Sequence, residues 1–184
     1  EGAAEEFASA DGLANLAGTR AIDQAEAKSD SDMTATGTES YDLTYDFVVG
    51  GNGNNDRITF SFDTIISQLA KLEGGAVAGD QAQSNISFNI NISNDEEIVF
   101  EWSPNGGGTA VGGTVVVEAY SLQSGISKQT SDGQVTNNRP EAPFFAFTDD
   151  LEAGLYSISV NKQVSVNATF HNVPEPTSMA LLGL

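Results

Sequence analysis

From Tyr41 onward, apolar and polar residues alternate one by one. Tyr41, Leu43, Tyr45, Phe47 and Val49 are separated by Asp42, Thr44 and Asp46, the period of two that sends successive side chains to opposite faces of a β-strand. The same test picks out "RITFSF" (57–62), "SNISFNINIS" (84–93) with Ile86, Phe88, Ile90 and Ile92 in phase, and "EIVFEW" (97–102) with Ile98, Phe100 and Trp102 on one side. "APFFAFTD" (142–149), "GLYSISVN" (154–161) and "QVSVNATFHN" (163–172) complete the set, the last carrying Val164, Val166, Ala168 and Phe170 in phase. In "GGTVVVEAYS" (112–121) the run Val115 to Val117 is apolar on both faces, which predicts a strand in the middle of a sheet. Short Gly, Asn and Asp segments separate these runs. One of them, "GGNGNND" (50–56), predicts a hairpin between the strands on either side.

Two stretches break the period of two. "DTIISQLAKLE" (63–73) spaces its apolar residues as a helix does, with Asp63 or Thr64 as cap and Gly74 and Gly75 as stop. A short strand at Ile65 and Ile66 is the second reading. Residues 1–40 are rich in Ala, Glu, Asp, Ser and Thr, with sparse large apolar positions at Phe7, Leu13, Leu16 and Ile22. The spacing is loosely helical from Ala3 to Lys28, interrupted by Gly12 and Gly18, and "SDSDMTATGTES" (29–40) reads as a polar linker. The expected fold is all-β: an antiparallel β-sandwich or jelly-roll-like domain over residues 41–172, with one short helix, an N-terminal arm over 1–40 and a separate segment over 173–184. No long internal repeat points to a solenoid or propeller.

Composition then narrows the chemistry. The 184 residues suffice for one ordinary domain with an arm or tail. With 26 acidic and 7 basic residues the net charge is -19, which repels a phosphate backbone and argues against nucleic acid as partner. The chain has no cysteine, so disulfides, thiolate metal sites and a Cys nucleophile are excluded. Its one histidine, His171, leaves acid–base chemistry to carboxylates or a perturbed lysine. The opening "EGAAEEFASADGLANLAG" lacks the basic and continuous apolar regions of a secretory signal and is read as a mature or cytosolic start. No stretch approaches the roughly 18 apolar residues a membrane helix needs, although 179–184 can begin one.

The end of the sequence carries a motif. Val173, Pro174, Glu175 and Pro176, followed by "TSMALLGL" (177–184), resemble the start of the PEP-CTERM protein-sorting signal. In that family the motif precedes a transmembrane helix and an Arg-rich tail, and an exosortase in the inner membrane recognises and processes it. The resemblance implies export by a polysaccharide-producing bacterium, an extracellular or cell-surface location and an exosortase as transient partner. It covers these last residues alone, up to the first part of the hydrophobic span, and it bears on address rather than activity. The alternative is a final strand "MALLGL" packed on the domain.

Candidate binding chemistry is sparse. Asn52, Asn54 and Asp56 offer oxygens at alternate positions, as calcium loops do, and Asp149 and Asp150 in "TDDLE" (148–152), or "SNDEE" (93–97), could complete a shared Ca²⁺ site. A Gly/Asn hairpin tolerating positive φ and solvated acidic turns are the plainer readings. Trp102 with Tyr120 or Tyr156 could stack on a sugar, but Trp102 also continues the core phase of Ile98 and Phe100. Asp149 and Glu152 could serve glycoside hydrolysis, yet so acidic a chain forms such pairs by chance. No Gly-x-Ser-x-Gly elbow is present, and the Asn85, Asn91 and Asn167 sequons fall on predicted strands.

These features predict a non-enzymatic, secreted structural subunit of the bacterial surface or extracellular matrix. It needs no cofactor, Ca²⁺ aside, and self-associates into filaments by exchange of its arm or terminal strand, since an unpartnered sheet edge is a template for an added strand. The alternative is a monomeric module that binds extracellular polysaccharide or calcium.

Overall fold

The computed structural model describes residues 7–16, 19–27, 33–50, 56–95 and 97–171, and the period-two segments within them are strands. In chain order they are β1 (Phe7–Leu16), β2 (Thr19–Ala27), β3 (Met33–Val49), β4 (Thr59–Glu73) and β5 (Gln81–Asn94), then β6 (Glu97–Trp102), β7 (Gly113–Glu118), β8 (Ser124–Gln129), β9 (Gly133–Thr148) and β10 (Gly154–Phe170). One sheet has the order β2-β1-β4-β9-β7. The other has the order β3-β10-β5-β6, with β8 pairing β5 as well. All pairings are antiparallel, and the two sheets pack face to face as a sandwich.

The expected helix over 63–73 is strand instead, all of β4 after Phe62. Ile65, Leu69 and Leu72 fit helical spacing, but Thr64, Ile66, Gln68, Ala70 and Leu72 also fit a period of two, and these five are the buried ones. The β-branched run Thr64-Ile65-Ile66 favours the extended form. A polar residue on the inner face, Gln68, hides the pattern from the sequence. Its Nε2 donates to the carbonyls of Ser84 (3.0 Å) and Ser124 (3.3 Å), and its Oε1 accepts from Ser124 Oγ (2.9 Å) and Asn137 Nδ2 (2.8 Å). One amide thus ties β4 and β9 of one sheet to β5 and β8 of the other, which satisfies its buried polar atoms.

Other expectations are corrected too. The loosely helical stretch from Ala3 to Lys28 contains the strands β1 and β2, and the polar linker over 29–40 contains the start of β3. "GGNGNND" does not close a hairpin: β3 pairs with β10, whereas β4 pairs with β1 and β9 in the opposite sheet. "TVVVE" lies in β7, an edge strand rather than a central one, with Val116 and Val117 exposed. Apart from the β1–β2 and β5–β6 hairpins, each connection between successive strands crosses between sheets. At the β6-to-β7 crossing Gly112 has φ +64° and lies so near Val99 that a Cβ would stand 1.8 Å from its carbonyl oxygen, so a side chain is excluded there.

The core is an aromatic and aliphatic layer between the sheets. Phe62 of β4 meets Phe88 of β5 with ring centroids 5.2 Å apart, Phe60 stacks on Phe100 at 5.2 Å, and Phe144 of β9 lies beside Trp102 of β6. Ile86, Ile90, Ile92 and Val164 fill the space around them. Each such side chain, fully buried, contributes roughly 1.5–3 kcal/mol by leaving water. A smaller cluster of Ala70, Leu72, Ala82, Val166, Ala168 and Phe170 closes the end where β10 finishes, called below the His171 end. At the opposite Gly154 end, Val49 pairs with Gly154 and Asp56 bridges Leu151.

The sheets are not equally complete along their length. β1 pairs with β4 from Ile65 to Glu73, toward the His171 end, while β7 joins β9 from Phe144 to Thr148, toward the Gly154 end. The long strands β3 and β10 run the full length of the other sheet. Over half of that length the β1–β2 hairpin lies opposite them.

Candidate functional site

Over the other half of that length no described strand lies opposite β3 and β10. Among the described residues, no strand pairs with Thr59–Thr64 of β4 on the side away from β9. Beneath that edge, β10 and β3 turn apolar side chains toward the interior. Register sets Ile158 opposite Tyr45, Val160 opposite Leu43 and Lys162 opposite Tyr41, so all six share the inner face. Tyr41 is 40% exposed, Leu43 46% and Tyr45 65%, values for an outer surface rather than an inner one. A cleft of about 590 Å³ runs along the edge, lined by Phe60, Phe62, Phe88, Ile90, Ile158 and Val160, with Asp63 and Glu141 also on it. An unpaired strand edge supplies main-chain donors and acceptors, and the floor supplies apolar area. Together they suit an extended apolar segment.

Lys162 closes the floor toward the covered half. It is 3% exposed, and its Nζ stands 5.6 Å from the centroid of the Tyr41 ring. Burial pushes its pKa below the ordinary 10.5, while the Glu39 carboxylate draws it partly back up. The unfolded chain therefore holds this proton more tightly than the folded one, so the lysine's burden on stability is present at neutral pH and lifts as pH rises toward 10.5. Lys162→Met is expected to stabilise the fold by about 1 kcal/mol at pH 7, the gain shrinking in alkaline solution. Urea midpoints of both proteins at pH 7 and above pH 10 measure this, and a less stable Met variant at pH 7 would refute it.

A second concavity, of about 650 Å³, lies on the outer face of the β3-β10-β5 sheet and is lined by Ser40, Asp42, Ser87, Asn89, Asn161 and Gln163 among others. Asn161 sits between Asp42 and Asn89, and Gln163 between Ser40 and Ser87. Asn89 Nδ2 donates to Ser103 Oγ at 2.7 Å. This lining of amides and hydroxyls, with the Asp42 carboxylate among them, can exchange hydrogen bonds with a polar polymer.

The candidate metal ligands fall as follows. Asn52 and Asn54 lie outside the described residues. Asp56 is brought next to the 149–152 segment by its bridge to Leu151, and the Asp149 N–H donates to the Gly112 carbonyl at 2.7 Å. Asp150 Oδ1 accepts from Arg57 Nε at 2.6 Å. Among the described residues, no three His, Asp or Glu side chains are grouped to hold a metal ion. The described acidic turns thus share one end of the sandwich.

Trp102 cannot stack on a sugar, because it is completely buried. Its Nε1 donates to Glu118 Oε2 at 3.2 Å, and its ring packs 5.7 Å from that of Phe62. Tyr120 and Tyr156 do not join it at a surface: the Tyr120 hydroxyl donates to the Thr64 carbonyl at 2.6 Å, and the Tyr156 hydroxyl to that of Glu152 at 2.9 Å. Burial raises the Tyr120 pKa. His171 donates its backbone N–H to Asp80 Oδ1 at 2.7 Å, with its Nδ1 3.4 Å from the same oxygen, an anchor for the end of β10. The sequon residues Asn85, Asn91 and Asn167 sit on the outer face of β5 and β10, and Asn167 Oδ1 accepts from the Thr169 hydroxyl at 3.2 Å. Val173, Pro174, Glu175 and Pro176 lie outside the described residues. No family model matches the chain, and no curated protein or solved structure matches it either.

Proposed function

We propose that this protein is a secreted, non-enzymatic structural subunit of the bacterial surface or extracellular matrix that polymerises by adding a strand to the open edge of β4. The observation that carries this reading is the Thr59–Thr64 edge of β4, with which no described strand pairs on the side away from β9, beside a cleft floored by Ile158 and Val160. Two copies cannot simply join β4 to β4. The strands β10 and β3 of each would project past the shared edge by about two strand spacings, roughly 10 Å, and collide. A segment without a sheet behind it fits instead. One copy then gives and the next receives, a heterologous contact that repeats into an open filament. The PEP-CTERM resemblance at 173–184 supplies the expected extracellular address.

Purified protein is expected to form fibres in negative-stain images, and Val160→Asp to remain monomeric in sedimentation while keeping the wild-type far-ultraviolet circular dichroism. Val160 of β10 lines the cleft and is only partly buried, so the variant places a charge where the added strand must be buried. A wild-type protein that stays monomeric across the concentrations tested would overturn the reading. The outer cleft with Asn89, Asn161 and Gln163 favours a second reading, a module for extracellular polysaccharide. Glycan binding by a strictly monomeric protein would support that one.

A further inference from the structure

We infer that Asn105 is a self-modification site: its side-chain amide is displaced by the Gly106 nitrogen, with the Glu118 carboxylate as base, and the residue becomes isoaspartate or aspartate. This goes beyond the assembly reading above and does not depend on it. The segment "SPNGGGT" (103–109) follows β6 on the way to β7, and its residues from Asn105 onward are exposed. Asn105 precedes a glycine, so no side chain shields the peptide nitrogen that attacks. By contrast, Asn85, Asn89 and Asn91 each precede a β-branched isoleucine within a paired strand.

Three contacts align the reacting groups. The Gly107 N–H donates to Asn105 Oδ1 at 2.8 Å, which folds the side chain back over the Gly106 peptide and polarises its carbonyl. The Gly106 N–H, whose proton must leave, donates to Glu118 Oε1. The other oxygen of that carboxylate, Oε2, accepts from Nε1 of the fully buried Trp102 at 3.2 Å. The base is therefore held from the core side and aimed at one amide proton, the geometry that general-base transfer requires. Behind the loop, the Leu122 N–H donates to the Pro104 carbonyl at 2.7 Å and fixes the approach to Asn105. In front of it, a Cβ built at Gly108 would meet no atom within 4 Å, so water reaches the site.

As the Gly106 nitrogen bonds to Asn105 Cγ, its proton passes to Glu118. The Gly107 N–H meets the charge that grows on Oδ1. Glu118 then gives the proton to the amide nitrogen, which leaves as ammonia, and a cyclic imide remains. Water opens that ring: addition at Cγ yields aspartate, addition at the main-chain carbonyl yields isoaspartate, and Glu118 is unchanged. The product sets a new carboxylate beside Glu118, so like charges meet at the end of β7.

The full chain is incubated in buffer, and conversion at Asn105 is followed by mass spectrometry, with isoaspartate detected by enzymatic methyl transfer. Asn105 is expected to convert faster in the folded protein than in a synthetic peptide of residues 102–109. Because the base is a carboxylate, the wild-type rate should stay nearly flat from about pH 6 to about pH 8 instead of following hydroxide. Glu118→Gln keeps the size and an acceptor but not the base. It should slow conversion at least about tenfold and make the rate climb with pH. Circular dichroism establishes whether this variant is folded; if it is not, the wild-type pH profile decides alone. Equal rates in the wild type and a folded Gln variant, a wild-type rate that tracks hydroxide, or an Asn105 still intact when the free peptide has converted would each overturn the inference. None of these outcomes turns on whether the protein forms fibres.

Discussion

Trp102→Ala is expected to destabilise the protein by about 3–5 kcal/mol, the range for truncating a large aromatic at a fully buried site. Trp102 is 0% exposed and stands where the two sheets meet, 5.7 Å from Phe62 and 6.5 Å from Phe144 between centroids. Truncation opens a cavity and also frees Glu118, whose carboxylate accepts from Trp102 Nε1 and from the Gly106 N–H. Small domains are stable by about 5–15 kcal/mol in total, so a large share of the margin goes with one side chain. The melting temperature should fall by roughly 10 °C or more, whereas Trp102→Phe, which keeps much of the volume, should lose less than half as much. Because Phe62 leans on Trp102 and also lines the β4 cleft, the Ala variant should disturb that cleft as well. A shift of a degree or two would show that the core closes around the gap and that Trp102 is not its keystone.

That role was visible in the sequence as a phase: Ile98, Phe100 and Trp102 on one side of a strand. Phase identified most of the sandwich, because a strand with one wet face must alternate. It failed where the inner face is not apolar. Gln68 interrupts the inner row of β4 and made a helix of it, and Lys162 splits β10 into two shorter runs although Gly154–Phe170 is one strand. β8 escaped notice because Ser124–Gln129 offers only Ile126 as a large apolar residue, its place being secured by pairing with β5. β1 and β2 are rich in Ala, Gly and Asp, poor strand formers, and the pairing of β1 to β4 sets their form.

The candidate site was less legible, for a physical reason. Tyr41, Leu43 and Tyr45 announce an apolar face but not whether anything covers it. Coverage depends on where β1 and β2 stop along β4, a question of register between segments far apart in sequence. Trp102 drew attention as a sugar platform because aromatic chemistry is local and easily read, whereas its burial comes from the packing of β4, β6 and β9 together. The metal reading came from alternate oxygens at Asn52, Asn54 and Asp56 and from acidic density, whereas the Arg57 pairing with Asp150 joins residues far apart in the chain and only the fold reveals it.

Asp80→Ala is expected to be the most damaging change among the charged residues, at about 3 kcal/mol, because it orphans two donors at once. Asp80 is 1% exposed. Its Oδ2 accepts from the Val77 N–H at 2.7 Å and its Oδ1 from the His171 N–H at 2.7 Å, while its carbonyl accepts from the Thr130 N–H at 3.3 Å. The β4–β5 loop, the β8–β9 turn and the end of β10 are therefore held through one residue. A buried N–H left without an acceptor costs roughly 1–3 kcal/mol, and a methyl group cannot replace the carboxylate. Asp80→Asn keeps one acceptor oxygen and should lose about half as much. Urea midpoints with unchanged slope, plus faster amide exchange at Val77 and His171, give the measurement; protection at both amides equal to the wild type's would refute the assignment.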